Sequence, residues 1–203
     1  AQCPGRAGLQ YTRWRAVDLR GLCAVFYTHH QDADPPAAVV RATHAAAHAL
    51  ADAGVQVEER LPPMVDLSYK ITRDYWNRPE PESWDEWNAG EETVLSSLEV
   101  EQHLFLWERF RRAMIAFMEN VDVIVTPAAE LPARPHGAGG GSIAYTLTYS
   151  LTGYPAVVVR AGTSEDGMPI GVQVVARPWR DEVALAAAYQ IQQALGGWQP
   201  PPL

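Results

Sequence analysis

Lysine is almost missing from this chain: of its 16 basic residues only Lys70 is a lysine, and the other fifteen are arginines. Any mechanism that needs a catalytic lysine therefore has one candidate. Cysteine is nearly as scarce. Cys3 stands in a Pro/Gly-rich opening and Cys23 inside an apolar run, so the two give neither a disulfide framework nor zinc-ligand spacing, and Cys23 is read as core filling. Positive charge is short as well. A net charge of -8, with the basic residues scattered, leaves no stripe to follow a phosphate backbone, which removes nucleic acid as an expected partner. No stretch reaches the roughly 18 consecutive apolar residues of a membrane span. The opening Ala1-Gln2-Cys3-Pro4-Gly5-Arg6 has no apolar signal-peptide core either. The expectation is a soluble, cytoplasmic protein without a membrane partner.

What is present is enough apolar residue for a real core. Hydrophobic residues make up 47% of the 203, which suits one ordinary domain or part of a larger one. Residues 1–16 show neither helical nor strand periodicity and are read as an unmatched leader. The first residue is Ala rather than Met, which fits a processed chain, an expressed fragment or a reading frame that lost its beginning. Leu22 to Thr28 is a short run of strand formers that ends at His29-His30-Gln31-Asp32. Asp34-Pro35-Pro36 supplies a helix start with Asp34 as the N-cap candidate, and Gly54 supplies its stop. Within that helix Val39, Thr43, Ala46, Leu50 and Ala53 share one face, opposite His44, His48 and Asp52. Val55 to Glu58 alternates as a strand, so the unit is expected to be a crossover joining two parallel strands.

Further along, a short helix is expected over Leu67 to Trp76, then an irregular loop to Gly90. Helix formers fill Glu91 to Asn120, but the apolar face shifts along the run, which predicts two helices or one buried on more than one side. Val121 to Val125 is continuous enough to be a strand covered on both faces, closed by Thr126-Pro127. A loop over Ala128 to Gly141 precedes a helix over Ile143 to Leu151. Pro155 to Arg160 and Ile170 to Ala176 are expected as two buried strands of an antiparallel hairpin around Glu165-Asp166-Gly167. Asp181 and Glu182 open a last, Ala-rich helix that Gly196-Gly197 ends, before the Pro-rich tail. The sum is an α/β protein with a mixed β-sheet covered by α-helices.

Several constellations imitate a reaction centre. Gly139-Gly140-Gly141-Ser142 precedes a helix, but with one serine and no base nearby Ser142 is read as an N-cap. Ser96-Ser97 is a serine pair without glycines, read as lying inside a helix. His44 and His48 at i and i+4, with Asp52 one turn on, have metal-ligand spacing but face away from the core. His29-His30 is read as a plain turn, His103 and His136 are isolated, and no Gly-x-Ser-x-Gly elbow occurs.

Four stretches in series carry a resemblance: Asp122-Val-Ile-Val-Thr-Pro127, Leu151-Thr-Gly-Tyr-Pro-Ala156, Pro169-Ile-Gly-Val-Gln173, and Arg177-Pro-Trp-Arg-Asp181 before an Ala-rich helix. Their order and spacing resemble the terminal segments of the amidase signature family, Ser/cis-Ser/Lys hydrolases of amide bonds. Val17-Asp-Leu-Arg-Gly-Leu22 is similar to the middle of such enzymes. The resemblance covers residues 17–198, the C-terminal half only, and leaves 199–203 as a tail. It implies hydrolysis of a small-molecule amide without a cofactor, by a lysine, a serine on a cis peptide and a serine nucleophile. The Gly/Ser-rich motif that would hold them is nowhere in this chain, and Lys70 lies beyond its expected place, so no catalytic residue is assigned. The chain alone is expected to be inactive, a scaffold and part of the substrate pocket. The alternative is a degenerate, non-catalytic amidase domain acting as an interaction module. Bare sheet is expected to favour homo-oligomers or aggregation. By the same resemblance Thr126, Tyr145, Thr146 and Tyr149 border the substrate cavity; the competing reading makes the tyrosines helix packing. Ser150 and Arg160 depart from the residues common in relatives at those places. No metal site is expected.

Overall fold

The structure, a computed structural model, describes residues 11–31, 33–76, 96–134, 136–137 and 143–200. Its centre is a five-stranded sheet in the order β2-β1-β3-β5-β4, with β1 Cys23–Phe26, β2 Gln56–Glu59, β3 Val123–Pro127, β4 Ala156–Thr163 and β5 Pro169–Ala176. The helices are α1 Ala37–Asp52, α2 Val65–Trp76, α3 Ser97–Met118, α4 Ala144–Thr152 and α5 Asp181–Ala194. β1 pairs in parallel with both β2 and β3, and β3 pairs antiparallel with β5, which turns back on β4. The expected mixed α/β architecture, the crossover and the hairpin are all present.

Because side chains alternate along a strand, the sheet has two apolar faces, each with its own helices. Ala24, Phe26, Val123, Val125, Val172 and Val174 meet α1 and α5 through Val39, Ala46, Leu50, Ala184, Ala187 and Ile191. Val25, Ile124 and Val175 point the other way, toward Val65, Ile71, Phe110, Met114 and Tyr145 of α2, α3 and α4. Four of the five residues read for the inner face of α1, Val39, Thr43, Ala46 and Leu50, are sealed from solvent, while the fifth, Ala53, is the half-buried C-cap just past the helix. On the opposite side His44 is not simply solvated, since its ring meets Phe26 edge-on at 5.0 Å.

Several caps and boundaries differ from those expected. Asp34 does not cap α1. The N-cap is Pro36, whose carbonyl accepts from Val39 N at 2.9 Å and Val40 N at 3.2 Å. The second proline thus sets the extended residue before the helix, while the Asp34 side chain stays exposed near His29. Ser96 lies outside α3 and caps it: its hydroxyl accepts from Glu99 N, and Glu99 returns a bond to Ser96 N at 2.8 Å, a reciprocal box. Over its described length α3 is one helix buried on one side, with Phe110, Met114 and Met118 inward and Leu98, Leu104 and Phe105 exposed. The N-cap of α4 is Ile143, not Ser142. Ser142 and the loop expected to run to Gly90 lie outside the described residues, the latter from residue 77 on. β4 is buried on one face only. It is the outermost strand, the second cluster ends at β5, and Val158 is left 57% exposed.

Two glycines are required by geometry. Gly153 ends α4 with φ 69°, a left-handed conformation that side chains resist, and donates to Tyr149 O. Gly162 lies at an irregularity in β4, where an added Cβ would come within 3.0 Å of the Ala42 Cβ on α1. Arg160, the departure noted in the sequence, reaches from β4 to the carbonyl of Gly197 beyond α5 at 3.3 Å. Residues 11–16, read as patternless, form a 3-10 turn that sets Trp14 against Tyr189 of α5 at 4.9 Å.

The strands are held in register at one end by a single carboxylate. Asp122 Oδ2 accepts from Cys23 N at 3.0 Å while Asp122 N donates to Cys23 O at 2.8 Å, which locks the start of β3 to the start of β1. Asp122 Oδ1 meets Arg177 at 3.0 Å, and Arg177 Nε donates to Val121 O at 2.9 Å, which ties in the chain leaving β5. Both side chains are partly buried, so loss of one partner strands the other in a poorly hydrated place. Asp122→Ala is expected to lower stability by about 2–3 kcal/mol, read from the urea midpoint. A double-mutant cycle with Arg177→Met should return a clear coupling energy.

Candidate functional site

At the carboxyl ends of β1 and β3 the apolar face gives way to a layer of buried polar side chains. The chain leaves β1 as Tyr27, whose N–H still donates to Val125 O at 3.3 Å, so the residues just after β1 stay aligned with β3. The Tyr27 hydroxyl meets the Tyr149 hydroxyl at 3.2 Å, and the Tyr145 hydroxyl donates to Thr28 O. Tyr145 and Tyr149 project from the same side of α4 because they are four residues apart. One turn lies between them, and Thr148 on that side shares a 2.7 Å hydroxyl contact with Ser68 of α2. Gln173 of β5 reaches the Tyr145 carbonyl through Nε2 at 3.4 Å.

Of the four residues assigned to the substrate cavity, Thr126, Tyr145 and Tyr149 are gathered here and buried. Thr126 turns its hydroxyl onto Pro127 O at 2.7 Å. Thr146 points elsewhere and back-bonds to Ile143 O at 3.2 Å. Sequence reasoning did not single out Tyr27, Ser68 or Thr148, and it read His30 as part of a plain turn. The imidazole of His30 is in fact 1% exposed, edge-on to Tyr145 at 5.2 Å and 3.7 Å from Asp66. Asp66 also accepts from Gln31 N at 2.9 Å, which fixes the turn to α2. The one available signal was the position of Tyr27 and His30 at the end of a buried strand, where loops over a sheet edge collect functional groups.

Burial pushes the Tyr27, Tyr145 and Tyr149 phenols well above their ordinary value, and for Tyr145 and Tyr149 the neighbouring Tyr27 adds to the shift. All three are therefore neutral donors at physiological pH, able to orient an acceptor but not to serve as bases. Among the described residues no group of three or more His, Cys, Asp or Glu could hold a metal ion. No described helix is long and apolar enough to cross a membrane.

The tyrosine shifts have a thermodynamic consequence. A phenol with a raised folded-state pKa binds its proton more tightly folded than unfolded, so its stabilisation is complete below the ordinary pKa of 10.0. It falls as pH rises beyond that value, by about 1.4 kcal/mol per pH unit for each such tyrosine. Denaturant melts between pH 9 and 11.5 should show this decline, and Tyr27→Phe should make it shallower.

The family model for Amidase matches residues 81–185, just over half of the chain. A glutamyl-tRNA(Gln) amidotransferase subunit of Roseobacter denitrificans is 34% identical over 90 residues, covering 39% of this chain and 18% of that protein. The corresponding protein of Ruegeria pomeroyi is 37% identical over 90 residues, with the same coverage. Among solved structures, 6-aminohexanoate cyclic dimer hydrolase complexed with substrate has a TM-score of 0.72 at 22% identity, covering 96% of this chain and 49% of that one. A bacterial aryl acylamidase of the amidase signature family gives 0.70 at 17% identity, covering 94% and 47%. The chain thus spans about half the length of the solved structures, and the matched segment under a fifth of the curated relatives. With the fold, the motif series and the family match in agreement, this chain belongs to the amidase signature family.

Proposed function

We propose that this chain is the C-terminal part of an amide hydrolase: it supplies the sheet, two core faces and part of an acyl-pocket wall to a site whose Ser/cis-Ser/Lys triad lies on another segment. The observation that carries this reading is the fit of 96% of the chain onto 49% of an amide hydrolase. The sequence supports it too, since it holds no Gly/Ser-rich triad motif and its one lysine, Lys70, stands on the exposed part of α2. In this reading Thr126, Tyr145 and Tyr149 belong to the wall around a small-molecule amide, while Thr146, bonded back to Ile143 O, stands apart from it. The buried, neutral Tyr145 and Tyr149 stiffen that wall through Thr28 and Tyr27, rather than move protons. No cofactor is needed for such chemistry.

Exposed apolar surface fits the same picture. Val158 on β4 is 57% exposed, and Phe105 on α3 is 72% exposed. On its own the chain would pair these surfaces with copies of itself. They equally fit the alternative of a non-catalytic interaction module, and the two readings part company in solution.

Purified chain is expected to release no ammonia from simple amides, and to acquire activity when expressed in fusion behind a segment carrying the triad. Activity of the chain alone that disappears in Ser142→Ala would sink this reading. In sedimentation velocity the chain alone should self-associate, and Val158→Lys should shift it toward monomer. A clean, well-folded monomer that gains nothing from the fusion would favour the interaction module.

A further inference from the structure

At the amino-terminal end of β3, away from the tyrosine layer, a cavity of about 510 Å³ opens between α3, the segment after α4 and the turn after β5. Its position follows from the register. Ala176, which pairs with Val123, donates to Pro155 O at 3.0 Å, so Tyr154 and Pro155 lie at the opposite end of the sheet from Thr126. Arg111 and Ile115 of α3, Tyr154, and Pro178, Trp179 and Asp181 form its walls.

Four features here are unexplained by packing. Trp179 is 82% exposed, yet its backbone has φ 66°, a region a bulky residue occupies only under strain. The Tyr154 hydroxyl is buried with no hydrogen-bond partner among the described residues. Among the described residues Arg111 is held by one distant ion pair, to Glu108 at 3.9 Å, and it lies close enough to Tyr154 for its charge to oppose the upward push of burial on that phenol. Asp181 has no ion pair among the described residues. Arg111 and Asp181 thus line one cavity as opposite charges that are not paired with each other.

We infer that this cavity is a second binding site, and that it takes a zwitterionic α-amino acid with an apolar side chain. The carboxylate would meet Arg111, and the ammonium would meet Asp181 at the start of α5. The apolar body would lie against Ile115, Pro178 and the Trp179 indole. One charge of each sign selects against simpler molecules: a plain carboxylate meets repulsion from Asp181, and a plain amine from Arg111. The inference is independent of amide hydrolysis, because no residue of the tyrosine layer takes part.

The test is isothermal titration of the protein with L-phenylalanine, and with 3-phenylpropionate and phenethylamine, which each lack one of its charges. L-Phenylalanine is expected to bind saturably, and each single-charge analogue roughly tenfold or more weakly. Arg111→Gln, on a solvent-facing part of α3, should weaken L-phenylalanine by a similar factor. Trp179→Gly should also weaken it, while the melting temperature stays at or above that of the parent because glycine suits the left-handed backbone. Absence of saturable binding, equal binding of the analogues, or unchanged affinity in Arg111→Gln or Trp179→Gly would overturn the inference.

Discussion

The side chain of Asp122 is the constraint on which the rest of the sheet depends. It takes a backbone N–H from Cys23 with one oxygen and the Arg177 guanidinium with the other, so one carboxylate joins β1, β3 and the chain leaving β5. A slip of one residue in either pairing would turn every side chain of the moved strand to the opposite face. Both faces here are apolar, so hydrophobic patterning alone gives little preference for one register over the next. A charged contact with fixed geometry gives that preference. It also explains why an Asp opens one motif and an Arg opens another 55 residues later: the two motifs are halves of one contact.

With the register fixed, the two faces do different things. The side covered by α1 and α5 is apolar and mostly aliphatic around Phe26, with small alanines on α5 packed close to the sheet. The side covered by α2, α3 and α4 holds tyrosines, hydroxyls and His30 at its carboxyl end. Loops that leave parallel strands converge at that end, and the end of a sheet is where an α/β protein places ligands. The opposite end of the same face carries Tyr154 and the walls of the second cavity. One helical layer therefore serves two ends of the sheet, with the apolar middle of α3 between them.

Periodicity and punctuation made most of the architecture legible. The centre of the buried face of α1 could be read from Val39, Thr43, Ala46 and Leu50, though Ala42, Ala47 and Ala49 widen it beyond that reading, and Asp166-Gly167 announced the turn of the hairpin it occupies, where Gly167 N donates to Ser164 O. Less visible were choices decided by a difference of one or two residues, such as Pro36 over Asp34 at the start of α1, because Pro36 supplies only an extended backbone and no side-chain acceptor, which leaves no capping signal to read. The outermost position of β4 was also hidden: its run of valines is apolar enough for a central strand, and strand order is set by distant pairing. At the site, family likeness led to Tyr145 and Tyr149 on α4. Their partners Tyr27 and Thr28 lie over 100 residues earlier in the chain, where the end of a buried strand is the one local feature that marks them and the pairing itself leaves no trace.

The strand order also governs how the molecule is made. β3 stands between β1, whose contact with it spans 99 residues, and β5, which comes after it. On a ribosome the first crossover can assemble early, but the middle of the sheet stays open until β5 has emerged. Until then the nascent chain presents an unzipped edge at Val123 to Val125. Chaperone engagement during synthesis would fall in the interval between the emergence of β3 and that of β5.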